Sequence, residues 1–277
     1  MPQEDAPTQT QVSGSVRHLA TPVSPLAGRV ALVTGAAGGI GRAVSLAFAL
    51  AGADLAVLDT APPEQLAGDI AAIGRRALPL GADVTRRDQI DAAVARTTGT
   101  LGRLDILVNV AGIASFGAAA TLAEAEWDRV IAINLKGTFL CCQAVIPVMR
   151  AQAWGRIINL GSIIGKNGGN ARPWIDPSEQ DHSGNVAYGA SKAGVHVLTA
   201  FLARELASSG ITVNAIAPGP IASAMTTSLP ATLKALIPVG RMGQAEDVAN
   251  AAVFLAGERA GFITAEVLDV NGGMWAD

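Results

Sequence analysis

Tyr188 and Lys192 stand four residues apart in the segment YGASK, residues 188–192. At helical spacing the two side chains fall on one face, so the ammonium group of Lys192 can lie near the phenol of Tyr188. A nearby positive charge favours the phenolate, and we expect it to lower the pKa of Tyr188 below the ordinary value of about 10. A tyrosine activated in this way can exchange a proton with an alcohol or a carbonyl group.

A glycine-rich segment, residues 34–41 (TGAAGGIG), follows a β-branched run and opens an Ala-rich stretch of helical pattern. Glycine lets the backbone approach a pyrophosphate, and a helix N-terminus offers oriented N–H groups to it. We therefore expect Gly35, Gly39, Ile40 and Gly41 to bind a nucleotide. The alternative reading of the segment is a plain tight turn.

Asp59 closes the second predicted strand, about 20 residues beyond the glycine loop, where an acidic residue can bind ribose hydroxyls. Its carboxylate would accept both hydroxyls of an adenosine ribose and repel a 2′-phosphate. Residue 38 is glycine rather than a basic residue, so the loop offers no charge partner for that phosphate. These features predict NAD rather than NADP, and the alternative for Asp59 is a turn residue at a strand end.

Two further segments fall at predicted strand ends, Asp83-Val84 after the third strand and residues 109–112 (NVAG) after the fourth. Ligands of open α/β sheets bind at the carboxyl edge of the strands. The residues we predict to contact the cofactor there are Asp83, Val84, Asn109, Ala111 and Gly112.

From residue 29 onward, short β-branched runs alternate with Ala-rich amphipathic stretches, which is typical of βαβ units. The sequence predicts an α/β Rossmann fold: a single domain, residues 26–277, with a doubly wound, seven-stranded parallel sheet and helices on both faces. Residues 1–25 are predicted to be a flexible arm. The predicted strands are 30–34, 54–59, 77–83, 106–110, 156–160, 212–217 and 266–270. The predicted helices are 41–50, 63–73, 87–98, 123–150, 186–209 and 246–255.

Charged residues make up 16% of the chain and the formal net charge is -3, so we expect no basic surface for nucleic acid or an anionic membrane. The adjacent Cys141 and Cys142 are too few for a disulfide framework and fit a reducing compartment. The N-terminus lacks the order of a signal peptide, and no apolar stretch approaches the ~20 residues of a bilayer span. We expect a cytoplasmic protein that binds no metal, because no ligand spacing for zinc is present.

The motifs of this chain occur in a fixed order: Thr34-Gly35-x-x-x-Gly39-x-Gly41, Asn109-x-Ala111-Gly112, Asn134, Ser162 and Tyr188-x-x-x-Lys192. Together they resemble the classical short-chain dehydrogenase/reductase family over residues 26–275. Two small departures, Val110 and Ser223, keep or nearly keep the polar function of the family's residues.

The resemblance implies that Tyr188 is the general acid/base and that Lys192 is its partner and binds the nicotinamide ribose. Ser162 would hydrogen-bond the substrate oxygen, and Asn134 would hold the water of a proton relay to Lys192. Homo-oligomers, dimers or tetramers, are the rule in the family. The residues similar to the family's nicotinamide-carboxamide contact are Pro218, Gly219, Ile221 and Ser223.

The gap between Ser162 and Tyr188 is longer than the family pattern, and residues 166–185 form an insertion. Its ends adjoin two catalytic candidates, so we expect it to lie beside the substrate entrance, with Trp174 lining the substrate pocket. His182 is more simply read as a solvated loop residue, because the proton relay is complete without it.

The sequence thus predicts an NAD-dependent oxidoreductase that interconverts a small-molecule secondary alcohol and a ketone. Two alternatives stay open. One is reduction of a 3-oxoacyl thioester by the same residues, for which a basic carrier-docking entrance is not evident. The other is a non-catalytic NAD-binding module on the same fold, since a fold does not establish activity.

Overall fold

The computed structural model describes residues 24–169, 184–222 and 235–276. Seven parallel strands form one sheet in the order β3-β2-β1-β4-β5-β6-β7. This doubly wound order confirms the predicted Rossmann-type sheet, and its direction reverses between β1 and β4. The strands are β1 Val30–Thr34, β2 Asp54–Asp59, β3 Ala77–Gly81, β4 Ile106–Asn109, β5 Gly155–Leu160, β6 Ile211–Pro218 and β7 Val267–Val270.

The central strands are apolar along their whole length because helices cover both faces of the sheet. In β1, for example, all five residues are buried. Ala31 and Val33 face a core that includes Phe48, whereas Val30 and Leu32 face a second core that includes Met149. The described helices are α1 Gly39–Leu50, α2 Glu64–Ala72, α3 Arg87–Leu101, α4 Glu124–Ile131, α5 Gly137–Gln152, α6 Ile164–Asn167, α7 Val186–Leu206 and α8 Ala245–Ala256.

Most boundaries lie within a few residues of those predicted, and three differences concern elements next to the candidate site. Strand β3 ends at Gly81, so Asp83 lies in the loop beyond it. The predicted helix 123–150 is interrupted by a π-helical stretch, Ala132–Lys136. The short helix α6, Ile164–Asn167, leads into the insertion and includes its first two residues.

The continuous helical segment Glu124–Gln152 is long and apolar enough to cross a membrane by length and composition, with a mean hydropathy of 1.5. The sequence-based expectation that no stretch approaches a span is therefore wrong on that criterion. Its residues Cys141, Val145 and Met149 lie in the hydrophobic core against the sheet, which is the ordinary place for such a helix in a globular domain.

Ion pairs gather at the amino edge of the sheet, where Asp105 precedes β4. The fully buried carboxylate of Asp105 accepts hydrogen bonds from Arg103 at 2.7 Å and from the backbone N–H of Val30 at 2.9 Å. Arg29 pairs with the same carboxylate at 3.3 Å and stacks on the Trp154 ring. These contacts tie the starts of β1, β4 and β5 together.

Candidate active site

A cavity of about 580 Å³ opens at the carboxyl edge of the sheet, where the strand order reverses. Parallel strands deliver their last residues to this edge, so residues distant in sequence meet there. Of the residues predicted for the site, the cavity wall includes Gly35, Gly39, Ile40, Asp59, Asp83, Val84, Ala111, Gly112, Ser162, Tyr188, Lys192, Pro218, Gly219 and Ile221.

The glycine loop leads from β1 into α1, whose N-terminus has no side-chain cap and no acidic residue in its first turn. Its first N–H groups therefore remain available to an anion. Gly35 and Gly39 adopt positive φ angles of 64° and 51°, and no atom lies within 4 Å of where a Cβ would stand on Gly38 or Gly39. This open, uncapped cradle fits the pyrophosphate of a dinucleotide.

Asp59 lies at the end of β2 beside this loop. Its Oδ2 accepts a hydrogen bond from the backbone N–H of Ala37 at 2.9 Å, and its Oδ1 accepts one from Thr60 N–H at 2.8 Å. The nearby cation Arg42 is paired with Asp69 at 2.7 Å. The carboxylate is thus fixed at the cavity wall, where it can meet the hydroxyls of a ribose.

Tyr188 and Lys192 lie on one face of α7, opposite the end of β5. Tyr188 and Ser162 line the same cavity, and the Ser162 hydroxyl accepts a hydrogen bond from the backbone N–H of Ile164 at 3.2 Å. Lys192 is 4% exposed, and its Nζ atom donates to the carbonyl oxygen of Leu160 at 2.7 Å. The sequence-predicted grouping of serine, tyrosine and lysine is therefore present in the structure.

The pKa of Tyr188 is raised above its ordinary value of 10.0, because burial outweighs the opposing hydrogen bond from Ser162. The Nζ atom of Lys192 lies 5.7 Å from the centroid of the Tyr188 ring. Burial lowers the pKa of Lys192 itself to about 8. The expectation that Lys192 lowers the pKa of Tyr188 is therefore wrong for this arrangement.

Asn134 is fully buried within the π-helical stretch between α4 and α5. π-helical turns often occur at functional sites. Its Oδ1 accepts from Ile113 N–H at 2.8 Å, and its Nδ2 donates to Ile113 O and to Ser191 Oγ, each at 3.0 Å. Asn134 does not line the cavity, and a Cβ on Gly112 would stand 3.3 Å from its Oδ1. It supports the wall that carries Gly112.

Two of the predicted cofactor contacts, Asn109 and Gly41, are not among the residues of the cavity wall. Asn109 is 3% exposed and points into the core, where its Nδ2 donates to Asn159 Oδ1 at 2.8 Å and to Cys142 Sγ at 3.3 Å. Gly41 is buried, and a Cβ there would collide with the carbonyl oxygen of Gly35. The Asn109 side chain thus links β4 to β5 and α5, and the absence of a side chain at Gly41 lets the start of α1 pack against Gly35.

Other wall residues were not predicted. Most of them adjoin predicted positions near strand ends, so the sheet edge itself was the signal that could have found them; Ile133 in the π-helical stretch and Ala245 at the start of α8 are exceptions. They include Gly38, Leu58, Thr60, Ala82, Val110, Ile113, Ala114, Ile133, Leu160, Gly161, Ala222 and Ala245. Ser223, Trp174 and His182 lie outside the described residues, as does nearly all of the predicted arm.

The two cysteines are buried in α5, and burial raises the pKa of Cys141 to about 12. Cys142 is raised further, so neither thiol is poised for chemistry at neutral pH. Within the described ranges, no group of three or more His, Cys, Asp or Glu side chains could hold a metal ion.

A known protein family matches most of this chain. A family model described as enoyl-(acyl carrier protein) reductase matches residues 35–275. The chain belongs to the classical short-chain dehydrogenase/reductase family. It is 42% identical to the 3-oxoacyl-[acyl-carrier-protein] reductase FabG of Staphylococcus aureus over 252 residues, covering 88% of this chain and 97% of that protein.

Two further relatives support the same family assignment. The (2S)-[(R)-hydroxy(phenyl)methyl]succinyl-CoA dehydrogenase subunit BbsD of Thauera aromatica is 40% identical over 251 residues, covering 88% of this chain and 96% of BbsD. The crystal structure of a short-chain type dehydrogenase/reductase from Mycobacterium marinum aligns with a TM-score of 0.82 and 35% identity, covering 91% of this chain and 97% of that one. The chain is accordingly an oxidoreductase of this family, and the family binds a nicotinamide cofactor.

Proposed function

We propose that this enzyme interconverts a secondary alcohol and a ketone with NAD(H), using Tyr188 as the general acid/base. One observation carries the proposal: Ser162, Tyr188 and Lys192 line the same cavity as the glycine loop and Asp59. A proton donor, an oxygen-binding hydroxyl and a dinucleotide cradle thus share one space.

The cofactor would be held by residues from several strand ends. The N-terminus of α1 would bind the pyrophosphate, and Asp59 would bind the adenosine ribose. Asp83 and Val84 would contact the adenine. Lys192 and the segment 218–223 would hold the nicotinamide end. When bound, the nicotinamide supplies the site that accepts or donates the hydride.

The side chains of the chain supply the proton chemistry. In the oxidative direction Tyr188 takes the proton of the substrate hydroxyl, while the Ser162 hydroxyl donates a hydrogen bond to the same oxygen. In the reductive direction Tyr188 returns that proton to the developing alkoxide. Because burial keeps the pKa of Tyr188 high, the residue rests protonated at neutral pH and is prepared for reduction.

A second candidate is reduction of a 3-oxoacyl thioester, favoured by the names of two relatives that act on acyl-carrier-protein and CoA compounds. A panel that pairs each free ketone with the thioester of the matching 3-oxo acid separates the two proposals. Turnover of free ketones with NADH, lost in Tyr188→Phe, supports the first proposal. A preference for thioesters supports the second.

A non-catalytic binding module would instead bind NAD without turning over any member of this panel. The grouped hydroxyls of Ser162 and Tyr188 argue against it, because a binding role for NAD does not require them. We further propose that Trp174, in the inserted segment 166–185, lines the substrate pocket. Trp174→Ala should then change kcat/KM unequally across the panel while the Kd for NAD stays constant.

We also propose a cytoplasmic homo-oligomer, a dimer or tetramer. Four large apolar side chains on α5 and α7 are exposed: Phe139 at 40%, Val186 at 43%, Val197 at 57% and Phe201 at 70%. Such surfaces are typical of subunit contacts. Light scattering after gel filtration tests the assembly, and a monomer at micromolar concentration would contradict it.

A further inference from the structure

Three side chains on one face of α7 hold the short segment Leu160–Ser162 at the end of β5. They are Tyr188, Lys192 and His196, each one helical turn apart. Ser162 acts on the pKa of Tyr188 as a side-chain hydrogen-bond partner, and Lys192 donates to Leu160 O at 2.7 Å. The third contact joins the backbone N–H of Ser162 to Nε2 of His196 at 3.3 Å.

The direction of this third hydrogen bond fixes the state of the imidazole. A backbone N–H can only donate, so Nε2 of His196 is the acceptor and carries no proton. The neutral ring then has its proton on Nδ1. An imidazolium, which donates from both nitrogen atoms, could not accept this bond.

The loop that carries Ser162 is shaped around the His196 ring. A Cβ on Gly161 would collide with Nε2, and a Cβ on Gly165 would stand 3.1 Å from Cε1 of the same ring. The Gly165 Cβ would also stand 2.7 Å from Ala193 N on α7. Two glycines, one on each side of Ser162, thus let the ring reach the serine backbone.

We propose that His196 is a positioning residue for Ser162. Its acceptor nitrogen fixes the Ser162 backbone, and the Ser162 hydroxyl is thereby directed to Tyr188 and to the substrate oxygen. His196 is not among the residues of the cavity wall, so it acts through Ser162. The part of this inference that concerns turnover rests on the proposed function, whereas the part that concerns Tyr188 does not.

The chain offers a direct readout, because Tyr188 is its only tyrosine. With isotope-labelled tyrosine, a single NMR signal reports the ionisation of Tyr188 in the full-length protein without any substrate. His196→Leu removes the acceptor, whereas in His196→Gln the Oε1 atom can take the place of Nε2. Since the Ser162 hydrogen bond lowers the pKa of Tyr188, its loss in His196→Leu should raise that pKa by at least about half a pH unit. His196→Gln should stay near wild type.

Turnover should be impaired in His196→Leu and nearly normal in His196→Gln, as the pKa of Tyr188 is. With any alcohol that wild type accepts, kcat should fall roughly tenfold in His196→Leu and recover to within about threefold in His196→Gln. The Kd for NAD, measured by calorimetry, should not change in either variant. Failure of the proposed function would remove the turnover result and leave the NMR result intact.

Thr199→Val is the matched control on the same helix. It removes the bond that Asn159 Nδ2 donates to Thr199 Oγ1 at 2.9 Å, so it should lower the Tm but leave the pKa of Tyr188 unchanged. If His196→Leu does not fold, His196→Met provides an acceptor-poor side chain of greater flexibility. The proposal is overturned if His196→Leu or His196→Met leaves the Tyr188 pKa at the wild-type value, or if His196→Gln is as impaired as they are.

Discussion

The ammonium group of Lys192 donates a hydrogen bond to the carbonyl oxygen of Leu160 across 2.7 Å, from a side chain that is almost completely buried. A neutral carbonyl replaces water as a partner but does not balance the charge. The pKa of Lys192 accordingly falls to about 8 from an ordinary value of 10.5. The protein thus holds a costly buried cation at the wall of its cavity.

This cost makes the stability of the free protein depend on pH. Between about pH 8 and pH 10.5 the native state has released the Lys192 proton while the unfolded state still holds it, so raising the pH favours the native state. Lys192→Met should therefore unfold at higher urea concentration than wild type near pH 7, and the difference should shrink as the pH rises through this window.

The control for this prediction is Lys136→Met, which removes an exposed ammonium at the end of the π-helical stretch. Its urea midpoint should run parallel to that of wild type at every pH. An advantage of Lys192→Met that stayed constant from pH 7 to 10.5 would show that burial of charge is not the cause.

The raised pKa of Tyr188 predicts opposite pH profiles for the two directions of the reaction. Ketone reduction uses the protonated phenol, so its kcat/KM should stay level near neutrality and fall only as the pH passes about 10. Alcohol oxidation needs the phenolate and should rise with pH over the same range. Tyr188→Phe should lower kcat at least ~100-fold in both directions and remove both slopes.

Initial rates over this pH range measure both profiles, with saturating NADH for ketone reduction and saturating NAD for alcohol oxidation. Ser162→Ala is a useful companion, because it keeps the phenol but removes its hydrogen-bond partner. Oxidation that was fastest on the acid side of neutrality would contradict Tyr188 as the base.

Asp59 should set the choice of cofactor. Asp59→Asn keeps an acceptor oxygen near Ala37 and Thr60 but loses the charge that repels a 2′-phosphate. The ratio of kcat/KM for NAD to that for NADP should fall roughly tenfold or more. Glu64→Gln, which removes an exposed charge at the start of α2, should leave the ratio unchanged. A wild-type enzyme that preferred NADP would contradict the assignment.

Two glycines of the same loop should respond differently to alanine. In Gly41→Ala the new Cβ meets the carbonyl oxygen of Gly35, so stability should fall by about 1–3 kcal/mol. In Gly38→Ala the new Cβ meets nothing within 4 Å, and the backbone is already extended. The Tm should then hold while the Kd for NAD rises. Thermal melts measure the Tm of both variants, and calorimetry measures their Kd for NAD. An equal loss of Tm in the two variants would contradict the prediction.

The sheet and most of the cavity wall could be predicted from the sequence because both follow from pattern. Buried parallel strands read as β-branched runs, and their carboxyl ends place Gly35, Asp59 and Gly112 on one edge whatever the details of packing. The spacing of Tyr188 and Lys192 likewise determines that they share a helix face.

The pattern could not show where side chains find their partners. Asn109 follows a strand like the other candidates, yet the polar side chain of Asn159 on the neighbouring strand draws it into the core. The direction of the Lys192 hydrogen bond depends on the Leu160 carbonyl, which no local signal marks. His196 continues the spacing from Tyr188 and Lys192, and that repeat was a signal that could have found it.

The ion pairs around Asp105 lie at the opposite end of the strands from Tyr188, about 16 Å away for a five-residue strand such as β1. These ion pairs are therefore separate from the cavity wall. Substitutions among Arg29, Arg103 and Asp105 could adapt the protein to a hotter or saltier cell while its catalytic edge stays untouched. In this protein, stability and ligand selectivity can evolve independently.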